Sequence, residues 1–261
     1  RAVITAALAR GLKVAAIDHS AVDPFDSKAC LEIGGVDLTD AVAAKKAVDQ
    51  AHAHFGRLDA LLNIAGGFVW QTVDDADPAW DRMYRLNLVT ALNTSRAALP
   101  QLKASDEGRI VNVGAAGALK SGMGMGAYAA SKSAVHRLTE SLAEETKSSS
   151  VTVNAVLPSI LDTPQNRKDM PDADPANWVK AEETILRLLF LLWYSCEEMA
   201  KVHKRIVGSI LAKSVELDLV EMEVLIDARV RRHYLKGTDV LFHEELNVYT
   251  RCYRQDVRRK K

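Results

Sequence analysis

The chain is poor in the residues that would staple it or anchor it. Its three cysteines (Cys30, Cys196, Cys252) are scattered and odd in number. That argues against a disulfide framework and fits a reducing compartment. No two have the spacing of a zinc site, and His203, His233 and His243 are too dispersed to suggest one, so no metal is expected. The most apolar run, "ILRLLFLLWY" at 185–194, is too short to span a bilayer and contains Arg187. Lys plus Arg and Asp plus Glu both number 34, so there is no net charge to draw the molecule to nucleic acid or to an anionic membrane. Neither is expected as a partner. No secretory leader is expected, and the setting these absences suggest is the cytoplasm.

Proline and glycine are missing from one end only. All seven prolines precede residue 176, and twelve of the fourteen glycines precede residue 127. Charge divides in the same way. Residues 184–261 carry 15 basic and 11 acidic side chains, leaving 19 basic and 23 acidic before them. The 261 residues suffice for one large α/β domain with an appendage. We expect a domain over 1–183 and a mostly helical extension over 184–261. In the extension Met199, Val202, Ile206 and Ile210 are spaced for one helix face. "SVELDLVEMEVLI" fits a helix or a strand, and the basic end "RCYRQDVRRKK" reads as a solvated tail.

In the first part, β-branched apolar runs alternate with amphipathic stretches. "KVAAID" (13–18), "LDALLNIAG" (58–66), "GRIVNVG" (108–114) and "VTVNAVLP" (151–158) read as buried strands; 1–10, 40–55, 78–103 and 127–147 read as helices. Such alternation predicts βαβ units and a doubly wound parallel sheet, Rossmann-like, with ligands at the carboxyl ends of the strands.

Those strand ends carry polar and small residues. Asp18 closes "KVAAID", where a carboxylate can accept from both ribose hydroxyls of an adenosine and repel a 2′-phosphate; it can equally be an N-cap or a surface acid. In "GGVDLTD", Asp37 can meet an adenine amino group, with Leu38 beside it, or cap the next helix. In "NIAGG" (63–67), Asn63, Ala65 and Gly66 permit close approach of a flat ligand or make a tight turn. Asn87 falls inside a helical pattern, where asparagine is a poor former. In "GAYAASKSAV" (126–135), Tyr128 and Lys132 share a helix face at i and i+4. An ammonium beside a phenol favours the phenolate and brings its pKa down toward neutrality, as proton donation requires; plain helix packing is the alternative. Pro158, Ser159 and Thr163 follow the last of these strands, in a loop able to hold an amide-bearing ring.

Taken together, "DHS", "DLTD", "NIAGG", the Asn87 "LN", "YAASK" and "LPSILDTP" resemble the short-chain dehydrogenase/reductase family over roughly 1–178. The resemblance is closest to its dihydropteridine reductase-like branch. In most of that family a serine lies about thirteen residues before the tyrosine; Ala115 stands there, as in the branch, which also lacks it. "GAAGALKSGMGMGAYAASKSAVHRLTESLA" and the "DTPxNRxxMPxADxxxW" pattern from Asp162 to Trp178 carry the narrower match.

The resemblance implies an oxidoreductase that binds NAD(H) in preference to NADP(H) and reduces a small quinonoid dihydropterin-like substrate. Tyr128 would be the proton donor, Lys132 would hold the nicotinamide ribose, and Asn87 would support the site. Asp18, Asp37, Leu38, Asn63, Ala65, Gly66, Tyr128, Lys132, Pro158 and Thr163 would bind the cofactor. Met170 and Trp178 would cover the substrate, and a homo-oligomer would pair through helices that include 78–103 and 127–147. The family's opening strand with its TGxxxGxG turn has no counterpart here, nor has its closing glycine-flanked strand. A gap is therefore expected in the sheet, for a segment such as "SVELDLVEMEVLI" to fill. A non-catalytic relative that binds partners through its tail is the alternative.

Overall fold

Each of the four expected strands forms, shorter than its apolar run. The computed structural model describes residues 1–75, 79–181, 184 and 185, and the backbone of 232–235, 238–243 and 248–253. α1 (Ala2–Leu8) precedes β1 (Val14–Ile17), which pairs in parallel with β2 (Cys30–Ile33), a strand without a counterpart among those expected. β3 (Ala60–Asn63), β4 (Arg109–Val113) and β5 (Thr152–Pro158) form a second parallel set, with Leu61 opposite Ile110 and Ile110 opposite Val153. β4 is buried almost throughout, as expected of a parallel strand covered on both faces.

Among the described residues, no strand fills the expected gap. β1–β2 is a two-stranded sheet, and no described strand hydrogen-bonds β1 to β3. Helices bridge the two sheets instead. α2 (Ala41–Phe55) starts at Asp40, whose carboxylate accepts from the Val42 and Ala43 amides, and stops at Gly56 with φ +76°. Its Ala47 and Ala51 pack with Ile33, Ala15 and Ile17. Its Val48 packs with Ala98, Leu102, Ile110 and Val153 in the main core. Asn93, on α4 (Thr90–Ala104), adds a polar tie by donating to the carbonyls of Leu38 and Thr39 at 3.0 and 3.1 Å.

The 78–103 stretch is not one regular helix in its described residues. α3 (Ala79–Met83) runs into a π-helical turn over Tyr84–Val89 and only then into α4. Such wide turns displace a residue from the regular ladder and are frequent at functional sites; Asn87 sits in this one. α5 (Gly126–Glu145) follows β4 and carries Tyr128 and Lys132. After β5 come the short pair β6 (Leu161–Asp162) and β7 (Val179–Lys180), with α6 (Pro164–Asp169) between them.

The end of the chain departs from a mostly helical extension. Its described residues form β8 (Arg232–Leu235), β9 (Thr238–His243) and β10 (Val248–Tyr253), an antiparallel meander. β10 joins the edge of β5, with Val248 opposite Pro158 and Cys252 opposite Asn154. The sheet order is thus β3-β4-β5-β10-β9-β8, and the added strands lie beyond β5 rather than in the gap between β1 and β3. The helical pattern at 199–210 and the "SVELDLVEMEVLI" segment fall outside the described residues.

Candidate active site

Four residues from three elements converge at the carboxyl ends of β3 and β4. Asn87 Oδ1 accepts from the Gly67 amide at 2.9 Å, and its Nδ2 donates to the Gly67 carbonyl at 3.1 Å. One side chain thereby satisfies both backbone groups of a loop residue, as a neighbouring strand would. Nδ2 also reaches Ser131 Oγ at 3.0 Å, and that hydroxyl donates to the Tyr128 carbonyl at 2.7 Å. Asn87 is 1% exposed, so these contacts replace water. Glycine is required beside it: a Cβ at Gly66 would stand 2.5 Å from Asn87 Oδ1 and 3.3 Å from Lys132 Nζ. The "NIAGG" glycines therefore admit the site's own side chains, and Ala65 lies exposed just before them.

Lys132 is buried, and its Nζ donates to the Val113 carbonyl at 2.8 Å. Desolvation lowers its pKa to about 8. Tyr128 is half-buried, and burial raises its pKa above the ordinary phenol value. This corrects the expectation of a phenol acidified by Lys132. Both groups are short of water here, and the ammonium is turned to the Val113 carbonyl.

One turn further along α5, buried His136 accepts from the Ala115 amide through Nε2 at 3.3 Å. A Cβ at Gly114 would stand 2.4 Å from that nitrogen. Lys132 and His136, on successive turns, thus hold residues 113 and 115 at the exit of β4. Position 115 offers only a methyl group, and its N–H is spent on the histidine.

The remaining expected residues are placed as follows. The Asn63 side chain is bonded within the core: its Nδ2 donates to Asn112 Oδ1 at 2.8 Å and Ser95 Oγ at 3.0 Å, and its Oδ1 accepts from Thr94 at 2.6 Å. Asn112 in turn donates to Thr139 on α5 at 2.8 Å. The asparagine side chain is committed to tying β3 and β4 to α4 and α5. Asp18 is exposed at the end of β1, with Oδ1 accepting from the Ser20 amide at 2.8 Å. Asp37 accepts from the Thr39 amide at 2.8 Å and is not the α2 cap, a role Asp40 takes. Its hydrogen bonds from Thr39 hold its pKa below the ordinary value, helped by His19 and Arg85. Pro158 ends β5, and Thr163 caps α6 by accepting from the Asn166 amide at 3.1 Å. Gly66 lies against Asn87 and Lys132, and Tyr128 is linked to Asn87 through Ser131. Asp18, Asp37 and Leu38 stand at the ends of the separate sheet. Met83, Asn93, Ser131 and His136 went unread; Ser131 and His136 flank Lys132 within "YAASKSAVH", which was a signal available in the sequence.

A strand-end glycine loop, a clamped asparagine and a Tyr/Lys pair on one helix make a recurring arrangement, and residues 1–174 match the family described as short chain dehydrogenase. The chain belongs to the short-chain dehydrogenase family. The chain is 34% identical over 188 residues to a 2-(S)-hydroxypropyl-CoM dehydrogenase of Xanthobacter autotrophicus, covering 69% of this chain and 74% of that one. It is 36% identical over 132 residues to a D-beta-hydroxybutyrate dehydrogenase of Rhizobium meliloti, covering 50% of this chain and 51% of the relative. It thus spans about half the length of that relative. Among solved structures, the ligand-free aldohexose dehydrogenase of Thermoplasma acidophilum is similar at a TM-score of 0.66 and 26% identity, covering 74% of this chain and 81% of that one. A Brucella melitensis 3-ketoacyl-(acyl-carrier-protein) reductase complexed with NADH shares the fold at a TM-score of 0.65 and 24% identity, covering 75% and 86% of the two chains. Among the described residues, no helix is long and apolar enough to cross a membrane and no group of His, Cys, Asp and Glu could hold a metal ion.

Proposed function

We propose that the chain is an NADH-linked reductase of an already activated, imine-like ring of the quinonoid dihydropterin kind. The observation that carries this reading is position 115. A ketone must be polarised at its oxygen, and here the usual hydroxyl is a methyl group while the adjacent N–H is held by His136. A quinonoid ring needs no such polarisation, only a proton donor and an oriented reductant. The narrower likeness of "VGAAGAL" and of the Asp162–Trp178 pattern to the dihydropteridine reductase branch supports the same substrate.

The residues fit the two ribose ends of a dinucleotide. Lys132 has N–H donors beyond the one given to Val113, beside a Gly66 that leaves no room for a Cβ. Asp18, at the end of β1, offers a free carboxylate oxygen to ribose hydroxyls and no welcome to a 2′-phosphate, so NADH is favoured over NADPH. Asp37 and Leu38 would flank the adenine. The 65–66 backbone would line the cofactor, and Pro158 and Thr163 would lie toward the carboxamide. NADH, when bound, supplies the hydride. Tyr128, a phenol protonated at neutral pH, gives its hydroxyl proton to the ring nitrogen where negative charge develops. Lys132 orients the ribose, and Asn87 keeps the 66–67 loop in register with α5. A cytoplasmic homo-oligomer pairing through α4 and α5, with 1–183 as the functional domain, belongs to this proposal.

The test is NADH oxidation by the chain with quinonoid dihydropterin and with a simple ketone. Turnover of the dihydropterin alone supports the reading; faster turnover of the ketone overturns it. The separation of β1–β2 from β3 favours a second reading, a non-catalytic relative. Saturable micromolar NADH binding would sink that alternative.

A further inference from the structure

Three aromatic rings stand against Gly124, Gly126 and Tyr128, where the chain enters α5. Trp70 lies on Gly124, where a Cβ would meet its Cε2 at 2.1 Å, and Gly124 has φ +72°, so glycine is required twice over. Trp80 lies on Gly126, its Cζ2 3.2 Å from a Cβ there. Phe68 meets Tyr128 edge-on, with ring centroids 5.0 Å apart. The Gln71 amide donates to the Gly124 carbonyl at 2.8 Å, so the loops after β3 and β4 form one wall. Yet Phe68, Trp70 and Trp80 remain 52%, 55% and 49% exposed. Rings this large left half in water, fixed in place and ending on a candidate proton donor, mark a ligand surface.

We infer that Phe68, Trp70 and Trp80 form the wall that recognises a flat, uncharged heteroaromatic ring and lays it against Tyr128. The inference deepens the reductase reading and rests on it for the direction of the reaction. Aromatic faces and edges select planar π-systems by stacking, which a flexible acyl chain cannot reproduce. Phe68 carries the wall up to the Tyr128 ring, which sets an occupant of the wall beside the candidate proton donor.

The probe is pterin, a stable flat ring, titrated calorimetrically into the full chain. Trp70→Ala weakens pterin binding about tenfold and Trp70→Phe largely restores it, since one stacked ring contributes on that scale. Gly124→Ala, which displaces Trp70 without removing it, weakens binding as well. Equal pterin affinity in the wild type and Trp70→Ala overturns the inference, as does a wild type that does not bind pterin. NADH oxidation with quinonoid dihydropterin is measured alongside. Trp70-dependent pterin binding without turnover would sink the reductase reading and leave the wall standing, whereas turnover indifferent to Trp70 would do the reverse.

Discussion

Asn87 grips Gly67 by both of its backbone groups, at 2.9 Å on the amide and 3.1 Å on the carbonyl. Asn87→Ala leaves those part-buried groups and the buried Ser131 hydroxyl without this partner. The expected loss is about 1–3 kcal/mol of unfolding free energy. Urea denaturation checks it, and a loss within error of zero would remove the clamp from the account.

Gly114 and His136 compete for one space, because a Cβ on Gly114 would stand 2.4 Å from His136 Nε2. Gly114→Ala is expected to destabilise by about 1–3 kcal/mol through overpacking. Gly114→Ala with His136→Ala should cost less than the sum of the single changes, since the second makes room for the first. Additive losses in the double-mutant cycle would show that the two do not meet.

Tyr128→Phe keeps the ring against Phe68 and removes only the hydroxyl. Turnover is expected to fall at least about a hundredfold, the usual contribution of a general acid, with the dissociation constant of NADH unchanged. Stopped assays and NADH titration separate the two effects; undiminished turnover would exclude Tyr128 as the donor.

Lys132 predicts a pH dependence of stability. Burial lowers its pKa from 10.5 to about 8, so between those values the unfolded chain binds the proton that the folded chain has released. Stability therefore rises with pH through that window, by at most about 1.4 kcal/mol per pH unit. Tyr128, with its raised pKa, acts in the opposite sense only above the ordinary phenol range. The difference in stability between the wild type and Lys132→Met, followed from pH 7 to pH 10, should show the rise; a flat difference contradicts it.

Periodicity in the chain was sufficient for β1, β3, β4, β5, α2 and α5, because strand and helix patterns there are local and agree with their caps: Asp40 before α2 and Gly56 after it. The order of the short motifs was sufficient for the family. The role of Asn63 was not legible, because its partners Thr94, Ser95 and Asn112 lie 31 to 49 positions away. An asparagine at a strand end looks the same whether it faces a ligand or a core. The π-turn around Asn87 was hidden for a similar reason, since a ladder slip leaves the apolar pattern almost unchanged. Which edge β10 joins was likewise a tertiary matter, decided by hydrogen bonding to β5 rather than by anything in Val248–Tyr253 itself. Residue type and spacing by themselves determined where α5 carries Tyr128 and Lys132. Only packing decided that both would be desolvated, and burial moves their two pKa values in opposite directions.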